Sequence, residues 1–392
     1  MRSCRVILVM IGSAAMVGFA AQSIRILETA PLGSDLDLAD VANAIDVLPT
    51  LFAQAESSIH ISQMYMLYYP PQSRGRLLSA LYDALIAAAQ REVRICILLD
   101  SATLEQNLSP AYHRIPWLLA DVPNITVRAC DLRPYSRYPH CMLHAKYCII
   151  DSRTAVLGSH NWSFGAFADN RELSLVVSDT GFCRQLEAVF ATDWRASFGL
   201  GHDQSCSALG ANPQQRTELR LVVTAPDMLR DSGAYQTIEA LIDLFSQAES
   251  TLDIEVNSLT TRADFGPAVR FGVVDSLLVA AAVRGVKIRL LVDKWAAERE
   301  LDLFRYLDGF AGLDVKVADI APLGPNPESG TMHAKLVIAD GGRALVGSAT
   351  FSQRQLLECR NVGALVRDRD VVGQLQEVFQ RDWLMAPIWP AW

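Results

Sequence analysis

The stretch His144-Ala145-Lys146-Tyr147-Cys148-Ile149-Ile150-Asp151, followed by Leu157-Gly158-Ser159-His160-Asn161-Trp162-Ser163, occurs twice in this chain. The second copy reads His333-Ala334-Lys335-Leu336-Val337-Ile338-Ala339-Asp340, then Val346-Gly347-Ser348-Ala349-Thr350-Phe351-Ser352. The histidines lie 189 residues apart (333 − 144), and the lysines, aspartates and Gly-Ser pairs keep that offset. A polar pattern repeated over this length without a gap implies one site built from two halves.

The duplication extends beyond the motif. Gln54-Ala55-Glu56-Ser57 returns as Gln247-Ala248-Glu249-Ser250, and Val93 to Asp100 returns as Val286 to Asp293, both 193 residues later. Phe190-Ala191-Thr192-Asp193-Trp194 returns as Phe379-Gln380-Arg381-Asp382-Trp383 at 189. Repeats this long mean two copies of a domain rather than a solenoid. The spacing predicts strands over 24–27, 58–67 and 93–100 and helices over 38–55 and 77–90. Strand–helix–strand order marks an α/β layer with parallel pairing. The expected organisation is a first domain over 23–200, a linker rich in Gly, Ser, Asn and Gln over 201–217, and a second domain over 218–392.

The 392 residues are 51% hydrophobic and 20% charged, a globular composition and not a disordered one. The net charge of −8 argues against a surface broadly designed for polyanions, while leaving room for a local basic groove. Residues 1–22 differ from the rest. Arg2 and Arg5 precede an uncharged run from Val6 to Ala21 that ends in small residues. This has the form of a signal peptide or short signal anchor, being short of the ~20 residues a spanning helix needs. It places the protein in the secretory pathway, lumenal, lysosomal or extracellular, or anchored to a membrane through its N-terminus.

Eight cysteines are present, seven beyond the leader. Cys96 and Cys148 sit in apolar strand patterns and read as buried thiols, whereas Cys130 and Cys141 bracket a loop and could be bridged. No Cys/His spacing suits a metal, so neither metal nor cofactor is expected. Asn107-Leu-Ser and Asn124-Ile-Thr are glycosylation sequons suited to a secreted chain, whereas Asn161-Trp-Ser falls within the motif and is read as part of the site.

In the motif, residues two apart share a face of a strand, so His144 and Lys146 point together, as do His333 and Lys335. Asp151 and Asp340 fall where each strand turns. The return strand brings Gly158-Ser159 back beside the histidine, where glycine permits close backbone approach and Ser159 and Asn161 offer short donors. If the copies face each other, two lysines supply the positive charge a phosphoryl group needs. Imidazole titrates near neutrality, so one histidine can attack while the other protonates a leaving oxygen.

The doubled pattern His-x-Lys-x4-Asp-x6-Gly-Ser resembles the phospholipase D superfamily. Within it, Leu27-Glu28-Thr29-Ala30-Pro31, Val286 to Val292 and Phe379 to Trp383 resemble the branch of lysosomal phospholipase-D-like exonucleases and poxvirus envelope phospholipase-like proteins. The resemblance implies two α-β-α domains, mixed sheets flanked by helices, with the active site at their interface. It implies a metal-independent, two-step phosphodiester exchange through a phosphohistidine. Carried over by position, His144, Lys146, Asp151, His333, Lys335 and Asp340 form the catalytic set. The lysines bind non-bridging oxygens, and the aspartates order the strand ends. Ser159, Asn161, Ser348 and Thr350 would bind substrate, and Glu172 and Asn361 would orient the histidines. Thr350 stands where the first copy has Asn161, and Asn361 where it has Glu172 (361 − 172 = 189). An amide supports imidazolium less than a carboxylate does, so the two histidines should differ in basicity. His144 is taken as the nucleophile, although these residues alone leave the assignment open.

Three stretches are expected to line the mouth: Met64 to Pro71, Arg133 to His140 and Asn257 to Arg262. Aromatics beside arginines can stack bases and hold a phosphate backbone, and aromatics with methionines can equally meet lipid. Phospholipid and single-stranded nucleic acid therefore both fit as substrate, and an N-terminal anchor would add membrane association. A catalytically weak membrane-associated assembly or envelope factor is the contrasting possibility. Two intact motifs argue against it.

Overall fold

The computed structural model describes residues 23–67, 76–106, 115–201, 218–230, 233–263, 270–324 and 329–386. The predicted leader, nearly all of the predicted linker, Asn107, Cys4, Cys206 and the Tyr68–Pro71 part of the first mouth stretch lie outside them.

In chain order the strands of the first half are β1 (Ile24–Thr29), β2 (Ala42–Asn43), β3 (Ser58–Gln63), β4 (Arg94–Asp100), β5 (Ile125–Cys130), β6 (Tyr147–Ile150), β7 (Thr154–Gly158), β8 (Glu172–Val177) and β9 (Ser197–Gly199). Those of the second are β10 (Leu219–Thr224), β11 (Tyr235–Gln236), β12 (Thr251–Val256), β13 (Lys287–Asp293), β14 (Leu313–Ala318), β15 (Lys335–Ala339), β16 (Arg343–Gly347) and β17 (Asn361–Val366). The helices are α1 (Ala44–Ala53), α2 (Arg76–Gln90), α3 (Ser101–Gln106), α4 (Ile115–Ala120), α5 (Phe164–Ala168) and α6 (Thr180–Arg195), then α7 (Thr237–Ser246), α8 (Val273–Val283), α9 (Lys294–Arg299), α10 (Leu301–Asp308), α11 (Gln353–Leu357) and α12 (Arg369–Met385).

Among the described residues these form two mixed sheets with matching order. The first runs β2-β1-β8-β7-β6-β3-β4-β5-β9 and the second β11-β10-β17-β16-β15-β12-β13-β14. β3, β4 and β5 are parallel, and β3 meets β6 antiparallel; β12, β13, β14 and β15 repeat the arrangement. Ile95-Cys96-Ile97-Leu98-Leu99 is apolar on both faces, as a parallel strand covered from both sides requires. α2 buries Leu78, Leu81, Tyr82, Leu85 and Ala88 at helical spacing.

Helices α6 and α12 fill the space between the sheets. α6 buries Phe182, Leu186, Phe190 and Trp194, and α12 buries Val371, Leu375, Phe379 and Trp383. They share one apolar core with the inner faces of both sheets, while two further cores lie under the outer helices of each half. The largest apolar layer thus belongs to neither half alone.

Two boundaries differ from the sequence expectation. The helix expected over 38–55 begins at Ala44, because the Leu38 amide donates to buried Glu28 at 2.7 Å and Ala42–Asn43 pairs with β1. The strand expected over 58–67 stops at Gln63, and Met66 bridges instead to Trp162. The cysteines differ too. Cys130 and Cys141 are not bridged: each thiol is turned to a carbonyl, of Asp193 at 3.7 Å and Glu358 at 3.3 Å. Cys148 is a buried thiol. Cys96 is buried but disulfide-bonded, and none of the other five described cysteines is its partner.

Each motif strand ends in a tight turn with positive φ at two successive residues, Asp151 (51°) and Ser152 (54°), then Asp340 (52°) and Gly341 (60°). This is the primed turn whose twist matches a hairpin. Asp151 accepts from the amides of Glu56, Ser57 and Ser58 and from the Ser57 hydroxyl at 2.7–2.9 Å. Asp340 does the same for Glu249, Ser250 and Thr251 at 2.7–3.2 Å. Each carboxylate therefore pins the start of β3 or β12 to the far end of the motif hairpin. Replacing Asp340 by Ala should lower the unfolding free energy by about 1.5–3 kcal/mol, the worth of hydrogen bonds to a charged acceptor. Burial alone would raise Asp340, but these donors bring it down to about 2 from 3.8. Its contribution is complete above the ordinary value and is lost as pH falls towards 2. Denaturant unfolding of the two proteins should therefore converge on acidification; a gap independent of pH would contradict this account.

Candidate active site

The residues leading into β6 and β15 cross to the opposite half. The His144 amide donates to the Arg360 carbonyl at 2.9 Å, and the Arg360 amide to Met142 at 3.1 Å. Reciprocally, the His333 amide donates to the Arg171 carbonyl at 2.9 Å and the Arg171 amide to Thr331 at 3.0 Å. The arginine side chains make the same exchange. Arg171 reaches Asp382 at 2.8 Å and Glu28 at 2.6 Å, and Arg360 forks onto both oxygens of Asp193 at 2.7–3.0 Å. All five of these arginines and carboxylates are buried. Each half thus positions the other half's histidine through the residue that also carries the bridging cation.

The residue after each arginine meets the imidazole. Glu172 Oε2 lies 2.8 Å from His333 Nδ1, and Asn361 Oδ1 lies 2.9 Å from His144 Nδ1. The Asn361 amide nitrogen donates to the Gln355 backbone carbonyl at 2.8 Å, and its oxygen accepts from Ser348 at 3.0 Å. That fixes the oxygen toward His144, so Nδ1 of His144 carries the proton and Nε2 presents a lone pair. Asn170 holds the other Glu172 oxygen at 2.9 Å.

The electrostatics follow from burial and from two adjacent cations. Burial, then Lys146 and Lys335, push His144 well below the ordinary imidazole value, against a single neutral hydrogen bond. Burial also lowers His333, but Glu172 opposes it. Burial would raise Glu172, yet the His333 charge and hydrogen bond bring it down to about 2. Lys335 falls to about 7 through burial, moderated by Glu172, Asp293 and Glu255, and burial with Lys335 alongside pushes Lys146 well below the ordinary lysine value. Lys146 Nζ donates to the His144 carbonyl at 2.6 Å, and Lys335 likewise to that of His333. Both lysines are held back against their own strands, around a space that favours a negative charge.

The structure brings His144, Lys146, His333, Lys335, Glu172 and Asn361 together. It sets Asp151 and Asp340 apart from them, at the opposite ends of β6 and β15. Ser159 and Ser348 are fully buried. Ser159 exchanges hydrogen bonds with Leu173 at 3.0–3.1 Å, and Ser348 accepts from the Val362 amide and donates to Asn361. Their hydroxyls fasten the return strand rather than face a ligand. Gly158 is required at this contact, since a Cβ there would lie 2.3 Å from the Leu173 carbonyl. Asn161 is buried with its side-chain oxygen unpartnered, and Thr350 is half-buried. In the mouth stretches, Arg133 is taken up by Glu105 and Asp131, and Arg137 by Glu358 and Asp227. The stretch from 133 to 140 ties the halves together instead of offering free cations.

Sequence reasoning missed the roles of Arg171, Arg360, Asp193 and Asp382, although the signal was present: both arginines and both aspartates obey the 189-residue offset. Changing Arg360 to Ala leaves buried Asp193 without a partner and should cost about 3–5 kcal/mol. Adding Asp193→Ala to that variant should recover part of the loss in thermal or denaturant unfolding. A double variant as unstable as the sum of the two single ones would mean the residues do not act as a pair.

A model of the cardiolipin synthase phospholipase-D-like domain matches residues 48–194 and again 241–383. The chain is 26% identical to phospholipase D Z of Dictyostelium discoideum over 388 residues, covering 92% of this chain and 89% of that one. It is 24% identical to human 5'-3' exonuclease PLD4 over 375 residues, covering 85% and 71%. In fold it is similar to the crystal structure of phosphatidylserine synthase from Haemophilus influenzae Rd KW20, with a TM-score of 0.67, 14% identity and coverage of 94% and 87%. With two copies of the domain and two matching sheets, the chain belongs to the phospholipase D superfamily, a family of phosphodiesterase type.

Proposed function

We propose that this chain hydrolyses phosphodiesters in two steps, with His144 as nucleophile and His333 as general acid and then base. The observation that carries the assignment is the unequal pair of imidazole partners. A nucleophile must be neutral and must present a lone pair, and His144 is held neutral by burial and two lysines, with Nδ1–H on an amide oxygen. An acid must begin protonated, and Glu172 supports the imidazolium form of His333.

In the first step His144 Nε2 attacks phosphorus, the bond to the leaving oxygen breaks, and His333 gives that oxygen its proton. In the second, neutral His333 takes a proton from water, the resulting oxygen attacks phosphorus, and the N–P bond breaks. Lys146 and Lys335 neutralise the non-bridging oxygens. Burial lowers both lysines and the charge of a phosphate opposes it, so substrate binding favours their charged form. This charge supply needs no metal. Phospholipase D Z and the exonuclease PLD4 are named for lipid and nucleic-acid chemistry respectively. Both are phosphodiester classes this site would accept.

Three measurements test the assignment, each with a chelator present throughout. His144→Ala and His333→Ala should both abolish hydrolysis of a phosphodiester with a poor leaving group. With an aryl phosphodiester, which leaves without acid help, His333→Ala should accumulate a phosphoryl adduct on His144 that mass spectrometry locates; an adduct on His333 in His144→Ala would reverse the roles. Glu172→Gln removes the charge that supports imidazolium, so His333 should lose its proton at lower pH. The alkaline limb of kcat/KM should then move to lower pH. Movement of the acid limb alone would identify His333 as the nucleophile.

A further inference from the structure

We propose that Trp295, with Arg299 against its ring, forms a stacking subsite for a nucleobase on the leaving-group side, so that the substrate is single-stranded nucleic acid. This rests on the reading of His333 as the acid, because the leaving group lies on the acid's wall.

Trp295 is the second residue of α9, at the carboxyl end of β13, and the carboxyl ends of parallel strands are where ligands of α/β sheets bind. One carboxylate ties it to the catalytic wall. Asp293 Oδ1 accepts the Trp295 amide at 2.9 Å, and Oδ2 accepts the amide of Met332, the residue before His333, at 2.9 Å. Trp295 is 53% exposed. The Arg299 guanidinium sits 4.7 Å from the ring centroid. A neighbouring segment continues the rim: Asn257 donates to the Met332 carbonyl at 3.2 Å, and five residues on Arg262 donates to the Arg299 carbonyl at 2.8 Å. The Arg262 side chain is 71% exposed and its guanidinium pairs with Glu300 at 3.0 Å, which fixes its place on the rim.

An exposed indole with the Arg299 guanidinium against it offers what a nucleotide requires, an aromatic face for a base and a cation for a backbone phosphate. An acyl chain would need a run of exposed apolar side chains, whereas Ala296 and Ala297 are buried and the rest of the stretch is Lys294, Glu298, Arg299 and Glu300. The first wall does not repeat the device. At the 193-residue offset, Trp295 corresponds to Ala102 and Arg299 to Gln106. The equivalent positions of the first half thus lack the pair, an asymmetry that would give the bound strand a direction.

The test is a double-perturbation cycle with the full chain. A single-stranded oligodeoxynucleotide is compared with one lacking the base on the leaving side of the scissile phosphate, each with wild type, Trp295→Ala and Trp295→Phe. Trp295→Ala should lower kcat/KM on the complete strand roughly tenfold or more, the usual loss when one stacked base is released. Trp295→Phe should retain most activity. The losses from Trp295→Ala and from base removal should not add, since each removes the same stack. Additive losses, or an unaffected complete strand, would overturn the subsite. Wild type that cleaves phosphatidylcholine vesicles but no oligonucleotide would overturn it while leaving the phosphodiesterase reading intact. Wild type that cleaves neither these nor an aryl phosphodiester would remove that reading and the subsite with it.

Discussion

The reciprocal exchange of Arg171 with Asp382 and Arg360 with Asp193 is the constraint on which the rest of the structure depends. Buried ion pairs of this kind contribute little net stability against an apolar alternative, because desolvation offsets the attraction. What they contribute is register. Each arginine is fixed at its guanidinium by the opposite half, and its backbone carbonyl holds the opposite histidine amide. A slip of one residue along the interface would break two ion pairs and misplace both imidazoles. The apolar layer of α6 and α12 supplies adhesion, and the ion pairs select one alignment from the many that such a layer would tolerate.

Around that alignment the two walls have diverged at the positions that matter for proton chemistry. Glu172 gives His333 a charged partner, and Asn361 gives His144 a neutral one whose orientation is fixed by Gln355. The lysines are alike in contact but unequal in surroundings: Lys335 lies near three carboxylates, whereas burial and Lys335 itself press most on Lys146. Differences of this sort are small in structure and large in protonation state.

Much of this was legible in the chain. The fold class follows from the doubled motif and from apolar strands alternating with helical spacing. The unequal pair at 172 and 361 follows from the offset alone. The identity of what those residues touch does not, because both orienting groups act across the interface. A repeat arithmetic that aligns the halves cannot show that they trade partners. Ser159 and Ser348 looked like ligand donors because short hydroxyls beside a histidine usually are. Their oxygens are instead engaged by strand backbone that arrives from fourteen residues further on, at Leu173 and Val362. The cysteines were opaque for a related reason. Bridging depends on which thiols three-dimensional packing leaves facing one another, and loop spacing around Cys130 and Cys141 carried no information about that.

The crossing of the two halves also bears on how such a site can change over generations. A half of this protein on its own would carry a histidine whose orienting partner lies in another copy, so the same chemistry in single-domain form needs a symmetric pair of chains. In such a pair every substitution appears twice. A carboxylate beside one imidazole would be a carboxylate beside both, and neither histidine could be tuned without changing the other. Joining the halves in one polypeptide releases that restraint. Residue 172 can be glutamate while residue 361 is asparagine, and position 295 can hold tryptophan while its counterpart holds Ala102. Fusion turns an obligatory equality into two independently adjustable settings.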